Sequence, residues 1–223
     1  MISFDVITLF PNLFQEHLKN LPFRRAIELG LATISLHNLR DFSEDKHKTV
    51  DDKPFGGGVG MVLKPEPIFK AVASIGKKRN GFAPACASRK IVTLSPRGKK
   101  YTQKKAREYL NLNQIILICG RYEGIDERVL TNLSDEVISV GDFVLSGGEI
   151  PALIIMESVI RLLPGVLEKE EASLNESFSK SESFIEYPQY TRPQDFNGLK
   201  VPKILTSGNH KEIEEWRKEN SIN

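Results

Sequence analysis

The chain of 223 residues has only two cysteines, Cys86 and Cys119, and neither belongs to a CxxC pair. A disulfide framework or a cysteine-based zinc site is therefore not indicated. No apolar run approaches the ~20 residues that a membrane-spanning helix needs. The first ten residues, MISFDVITLF, lack the positive segment and the small-residue cleavage site of a signal peptide, and we interpret them as a buried strand. From these absences we expect a cytoplasmic protein.

Acidic residues are missing from one long part of the chain, between Glu66 and Glu108. The whole chain carries 31 basic and 29 acidic residues, so its net charge of +2 conceals a strong asymmetry. A charge run is often only a solvated surface, but a basic stretch without acids is also typical of proteins that bind nucleic acid. We favour a nucleic-acid partner. The twelve basic residues of this stretch are Lys70, Lys77, Lys78, Arg79, Arg89, Lys90, Arg97, Lys99, Lys100, Lys104, Lys105 and Arg107.

Apolar, β-branched segments alternate with helical patterns over the first three quarters of the chain. This alternation predicts an α/β fold with a parallel sheet and helices on both faces. The predicted strands are 2–9, 31–39, 90–94, 113–119 and 136–140. The predicted helices begin at Pro11 and cover 22–29, 64–75, 102–110, 125–133 and 148–163, with Gly30 ending the second.

The pattern changes after Gly165, where periodicity is lost and serine and glutamate become frequent. We predict a first domain over 1–165, an interdomain linker over 166–193, and a short helical C-terminal domain over 194–223. Within the last segment a helix is expected over 209–219, with Asn209 as its N-cap and Trp216 on its apolar face.

Three glycine-containing turns follow predicted strands, in the segments IVTLSPRG (91–98), IILICGRYEG (115–124) and VISVGDFVLSGGE (137–149). The carboxyl ends of the strands are where parallel sheets bind ligands. A single glycine after a strand often only allows the chain to turn, but three such turns in series favour a ligand site. The polar loop over 41–61 is much longer than the usual connection, which is typical of functional loops.

Several long and unusual strings lie in order along the chain. They are VDDKPFGGGVGM (50–61), LSPRG (94–98), GRYEGIDERV (120–129), GDFVLSGGEIPALI (141–154), RLLPGV (161–166), YPQYTRP (187–193) and VPKILTSGNHKEIEEWR (201–217). Together they resemble the bacterial tRNA (guanine-N1)-methyltransferases, the TrmD family within the SPOUT class. The resemblance implies a deep trefoil knot, a homodimer, and methyl transfer from S-adenosyl-L-methionine to N1 of guanine 37, just 3′ of the tRNA anticodon, where position 36 is also guanine.

The resemblance also assigns thirteen residues to the cofactor. Backbone groups exposed at glycine turns suit the recognition of adenine. The thirteen are Leu94, Ser95, Pro96, Gly120, Tyr122, Gly124, Val140, Gly141, Phe143, Leu145, Gly147, Gly148 and Pro151.

Methylation of guanine N1 requires a base that removes the N1 proton and a cation that stabilises the charge gathering on O6. The resemblance assigns these roles to Glu176 and Arg161. The family usually has aspartate at the position of the base, and this chain has no aspartate between Asp142 and Asp195. We expect Glu176 to act as the base. Two alternatives stay open: Glu176 is only a solvated glutamate of the linker, and Arg161 only caps the C-terminus of its helix.

The long loop is expected to hold the anticodon stem-loop of the tRNA, with the target base turned out of its stack. The resemblance points to Asp51, Gly60 and His47 in this loop and to Glu123, which either contacts substrate or fixes Arg121 or the loop. Two further alternatives stay open. The chain could be a SPOUT methyltransferase for another RNA site, or a non-catalytic RNA-binding homologue.

Overall fold

A computed structural model of the protein describes residues 1–78, 88–169 and 172–222. Cys86 and the basic residue Arg79 lie outside this part of the chain. The structure divides into two compact units, Met1–Glu168 and Lys169–Asn223. Within the described residues, no helix is both long and apolar enough to cross a membrane.

The first unit alternates strands and helices, as its hydrophobic pattern predicts. Its strands are β1 Ile2–Thr8, β2 Ala32–Asn38, β3 Asp51–Asp52, β4 Val62–Leu63, β5 Arg89–Lys100, β6 Gln114–Cys119 and β7 Glu136–Ser139. Its α-helices are α1 Gln15–Leu18, α2 Phe23–Glu28, α3 Pro65–Lys78, α4 Gln103–Tyr109, α5 Glu127–Asn132 and α6 Glu149–Ile160. Short 3-10 helices cover Pro11–Phe14 and Leu39–Phe42.

Five of these strands form one parallel sheet in the order β2-β1-β6-β5-β7. In this sheet Ser3 of β1 pairs with Thr33 of β2 on one side and with Gln114 of β6 on the other. All residues of β1 and β6 are buried, because helices cover both faces: residues of α2, α4 and α6 pack in one apolar cluster, and residues of α3 and α5 pack in the other. The predicted α/β class with a helix-covered parallel sheet is confirmed.

Strand β5 continues beyond the predicted end at residue 94. Its pairing with β7 shifts register between Leu94 and Lys99, so the predicted turn is a bulge within a longer strand. Gly98 allows this close pairing, because an added Cβ would stand 2.5 Å from the backbone nitrogen of Ile138. The Pro and Gly of the segment SPRG indicated a strand end, whereas they mark an irregularity that the neighbouring strand accommodates.

The long loop after β2 is partly ordered by local pairing. The 3-10 helix Leu39–Phe42 shortens it at the start, and β3 pairs antiparallel with β4, joining Asp51 to Leu63. The backbone nitrogen of Leu63 also donates to the carbonyl of Gly124, 2.9 Å away. These contacts attach the end of the loop to the turn that follows β6.

The second unit contains α7 Ala172–Asn175, the antiparallel pair β8 Asp195–Phe196 and β9 Leu199–Lys200, a 3-10 helix Lys203–Thr206 and α8 His210–Glu219. The pair of short strands was not predicted. Asn209 is the N-cap of α8, where its side chain accepts from the backbone nitrogen of Glu212, as predicted. The ring of Trp216 lies 6.4 Å from that of Tyr187 and 6.3 Å from that of Tyr190, both edge-on. Trp216, predicted on the apolar face of this helix, therefore packs on the YPQYTRP segment.

Candidate active site

A cavity of about 310 Å³ lies at the carboxyl ends of the three neighbouring strands β6, β5 and β7. The turns after β6 and β7 and the bulge within β5 form its walls. The side chains Leu94, Ile138, Leu145 and Pro151 give it apolar surfaces, and the turns provide backbone amides and carbonyls. A cavity of this size with apolar walls and a few polar groups is typical of small-molecule sites.

The structure brings together all the residues assigned to the cofactor except Gly141, which follows β7 without lining the cavity. Gly141 contributes indirectly, because an added Cβ would stand 2.3 Å from the ring of Phe143, which does line it. Glu123, predicted to contact substrate or to fix Arg121 or the loop, also lines the cavity. Eight further lining residues were not predicted: Arg97, Arg121, Ile125, Leu130, Ile138, Ser139, Val144 and Ser146. Most of them are sequence neighbours of predicted residues, so proximity along the chain was a usable signal.

The turns after β6 and β7 cross in close contact. The backbone nitrogen of Gly148 donates to the carbonyl of Gly120 at 2.9 Å, and Arg121 forms a β-bridge with Gly147. At Gly148 an added Cβ would stand 2.7 Å from the Cα of Cys119. Only glycine lets these two backbones approach so closely.

Cys119, the last residue of β6, is buried directly behind this crossing. Burial raises the pKa of its thiol well above the ordinary value, and the carboxylate of Glu149 raises it further. The thiol therefore stays protonated at neutral pH, which excludes it as a nucleophile.

The loop over 43–49 is ordered around one carboxylate. Asp45 accepts from the hydroxyls of Ser43 and Thr49 and from the backbone nitrogens of His47 and Thr49, at 2.6 to 3.1 Å. The Ser43 hydroxyl and the other donors lower the pKa of Asp45 to about 2. His47 is exposed on this loop and does not line the cavity.

Gly60 and Glu123 lie in contact, which joins the loop to the cavity wall. An added Cβ at Gly60 would stand 2.5 Å from Cγ of Glu123, and the Glu123 nitrogen donates to the carbonyl of Met61 at 3.0 Å. Glu123 therefore packs against the loop, whereas Arg121 pairs with Glu149 at 3.0 Å. Asp51 is half-buried in β3.

The two residues assigned to catalysis belong to different units. Arg161 is the C-cap of α6 in the first unit, where it lines a second cavity of about 290 Å³ together with Arg25 and Glu157. Glu176 follows α7 in the second unit and is half-buried. Arg161 does not line the first cavity.

The acid-free stretch of sequence acquires acidic partners from elsewhere in the fold. Arg97 pairs with Glu127 at 2.6 Å, and Lys90 contacts Glu136. The Arg97 side chain nevertheless remains 73% exposed, and Lys99, Lys100 and Lys104 are exposed as well. The charges stay available to a polyanion, although their field is weaker than the sequence alone indicates.

Comparison with known proteins agrees with the sequence motifs. Residues 2–223 match the family described as tRNA (Guanine-1)-methyltransferase TrmD. The chain is 48% identical to the tRNA (guanine-N(1)-)-methyltransferase of Clostridioides difficile strain 630 over 99% of this chain and 93% of that one. The proteins of the same name from Dictyoglomus turgidum and Bacillus subtilis strain 168 are 49% and 47% identical, over 100% and 99% of this chain and 86% and 88% of theirs.

Proposed function

Because the chain belongs to the TrmD family of tRNA (guanine-1)-methyltransferases, we propose that it transfers a methyl group from S-adenosylmethionine to N1 of guanine 37 in tRNAs with guanine at position 36. The observation that carries this proposal is that the turns after β6 and β7 and the bulge of β5 line one and the same cavity. The residues that the family resemblance assigns to the cofactor lie around it.

The cavity suits an adenosine-containing cofactor. The backbones of Gly120 and Leu94 lie close together in the cavity wall, since an added Cβ at Gly120 would stand 3.3 Å from the carbonyl oxygen of Leu94. Leu94, Ile138 and Pro151 offer apolar contacts to a purine, and the backbone of the turn after β6 offers donors and acceptors to its edge. S-adenosylmethionine, when bound, supplies a methyl group activated by its sulfonium.

Two residues are proposed to act on the target guanine. Glu176 accepts the proton from N1 as that nitrogen is methylated, which requires an approach of about 2.6–3.2 Å. Arg161 faces O6 and stabilises the negative charge that gathers there. Glutamate has the same carboxylate as the usual aspartate, with one more methylene. Within the described residues of the second unit, the only regular structure before Glu176 is the four-residue helix Ala172–Asn175, so the segment can adjust its backbone to the longer side chain.

The loop is proposed to hold the target base and its neighbour through Asp51, Gly60 and His47, with Glu123 at the junction of loop and cavity. The contact between Gly60 and Glu123 supports this, because Glu123 also lines the cavity. A base held by the loop would thus lie beside the cofactor. The exposed cations around Arg97 would contact the phosphates of the anticodon stem-loop.

The family resemblance extends the proposal to the whole chain. A knotted methyltransferase domain spans 1–165, a linker 166–193, and a helical domain 194–223, in a cytoplasmic homodimer. The crossing of Gly148 beneath Gly120 supports the knot, since the chain leaves edge strand β7 and returns to pack α6 on β1 and β6. The exposed apolar side chains Phe143, Val144 and Ile154 support a protein partner on the same unit.

The test uses tritiated S-adenosylmethionine and two transcripts of one tRNA, with guanine or adenine at position 36 and guanine at position 37. We expect label only in the first transcript, mapped to N1 of guanine 37. Label at another nucleotide would assign the chain to a different RNA site. Binding of both S-adenosylmethionine and the transcripts, without transfer to either transcript, would identify a non-catalytic RNA-binding protein.

A further inference from the structure

Glu149, the first residue of α6, has a buried carboxylate that the proposed chemistry does not use. The residue is 1% exposed. Its Oε1 accepts a hydrogen bond of 2.8 Å from the Thr8 hydroxyl at the end of β1, and its Oε2 lies 3.0 Å from Nε of Arg121. A buried carboxylate is costly unless charged and polar groups compensate it, and here both oxygens have such neighbours.

Arg121 connects this carboxylate to both turns of the cavity. It belongs to the turn after β6, and its Nη1 donates to the carbonyl of Ser146, in the turn after β7, at 3.2 Å. The guanidinium also lies 4.5 Å from the ring centre of Phe10. The side chain of Arg121 thus joins the two turns, and its position is fixed by the ion pair with Glu149 and the contact with the Phe10 ring.

Position 147 has no room for a side chain beside this pair. An added Cβ at Gly147 would stand 2.3 Å from Nε of Arg121 and 2.6 Å from Oε2 of Glu149. Thr8 contributes further order, because its hydroxyl also accepts from the backbone nitrogen of Phe10 at 3.0 Å. Glycine at position 147 is therefore required beside the ion pair, and Thr8 links the carboxylate to the start of the next segment.

We propose that Glu149 is a positioning residue for the cofactor cavity: it holds Arg121 so that the turns 120–124 and 140–147 stay joined. The nature of the ligand rests on the proposed function, whereas the joining of the turns does not. Without the carboxylate, the charged guanidinium of Arg121 would be mostly buried with no counterion. It would turn towards solvent and lose its hydrogen bond to the Ser146 carbonyl.

A second ion pair of the same unit provides a matched control. Glu136 contacts Lys90 and accepts from the Tyr109 hydroxyl at 2.7 Å, and its side chain is 17% exposed. None of these three residues lines the cavity. Removing the charge of Glu136 therefore disturbs a partly buried carboxylate–cation pair without touching either turn.

The experiment compares Glu149→Gln with Glu136→Gln in the full chain. Hydrogen exchange of the ligand-free proteins should accelerate at 120–124 and 140–147 in Glu149→Gln only, with the sheet strands β1 and β6 unchanged. Calorimetry with S-adenosylmethionine should show binding about tenfold weaker in Glu149→Gln, as expected for loss of one coupled interaction, and unchanged in Glu136→Gln. Equal effects of the two variants, or a lowered melting temperature alone in Glu149→Gln, would overturn the proposal.

Two further variants keep the test decisive. If Glu149→Gln does not fold, Thr8→Val removes one hydrogen bond from the same carboxylate and should give the same exchange pattern with a smaller loss of affinity. In the double variant Arg121→Gln/Glu149→Gln the losses should not add, because the two residues act through one contact. If the unaltered protein binds no S-adenosylmethionine, the cofactor assignment fails, and the exchange of the two turns alone decides the role of Glu149.

Discussion

Gly60 and Glu123 are in direct contact, so close that an added Cβ on Gly60 would stand 2.5 Å from Cγ of Glu123. The first residue belongs to the long polar loop and the second lines the cavity. Through this contact the segment proposed to hold the RNA base is positioned by the segment proposed to hold the cofactor.

Gly60→Ala should therefore disturb catalysis more than Gly57→Ala. Both glycines have positive φ, +85° and +80°, but Gly57 has no atom near an added Cβ. The two variants share the backbone strain, and only Gly60→Ala displaces Glu123. We expect single-turnover methylation to fall by about 100-fold in Gly60→Ala, the cost of a misplacement of ~1 Å, and clearly less in Gly57→Ala. Equal rates in the two variants would show that the contact has no catalytic consequence.

Glu176→Gln should reduce single-turnover methylation by about 10²–10⁴-fold, because the variant has no base for the N1 proton. Binding of S-adenosylmethionine, measured by calorimetry, should stay unchanged. Glu182→Gln, at an exposed glutamate of the same segment, is the control and should keep the full rate. Full activity in Glu176→Gln would remove Glu176 from the mechanism.

Gly148→Ala should destabilise the first unit, since its Cβ would stand 2.7 Å from the backbone of Cys119. Overpacking of this kind costs about 1–3 kcal/mol. Gly76→Ala, within α3, is the opposite case: its Cβ meets nothing closer than 3.4 Å, and replacing a helical glycine contributes about 0.5–1 kcal/mol of stability. Urea unfolding followed by circular dichroism measures both. A stable Gly148→Ala would mean that the two crossing turns can separate at little cost.

Acid should release the loop over 43–49. The pKa of Asp45 is lowered to about 2 from an ordinary value of 3.8, so its ionised form favours the ordered loop. This contribution is complete above the unfolded pKa and is lost as the pH falls from about 4 through 2. Carboxyl ¹³C chemical shifts should give a midpoint near 2, and the amide signals of His47 and Thr49 should move with it. A midpoint near 3.8 would contradict the network.

The order of strands and helices in the first unit follows from the sequence, because periodicity reports how each segment is buried. The end of β5 does not follow from it. Pro96 and Gly98 are ordinary signals of a strand end, and only the neighbouring strand, whose Ile138 lies against Gly98, shows that they form a bulge. The two-residue strands β3, β4, β8 and β9 are likewise too short to leave a periodic pattern.

Cavity residues could be predicted from the sequence where they belong to the motifs of the turns. Ion pairs between residues far apart in the sequence could not be predicted. Nothing in the sequence links Arg121 with Glu149, 28 positions apart, or Thr8 with either of them. The charge of the basic stretch was overestimated for the same reason, because its residue Arg97 pairs with Glu127 of α5. Long-range pairing of this kind depends on the arrangement of the sheet and is not encoded in local pattern.

The position of β1 between β2 and β6 has a consequence for synthesis on the ribosome. Ser3 of β1 pairs with Gln114 of β6, and β6 is translated roughly 5–20 s after β1 at elongation rates of about 5–20 residues per second. During that interval β1 can pair only with β2, and its other edge stays open, with Ile2, Phe4 and Val6 on one face of the strand and Ile7 on the other. An open edge of this composition invites pairing with other chains. The nascent protein is therefore most exposed to aggregation between translation of residues 38 and 119, before β6 closes the sheet.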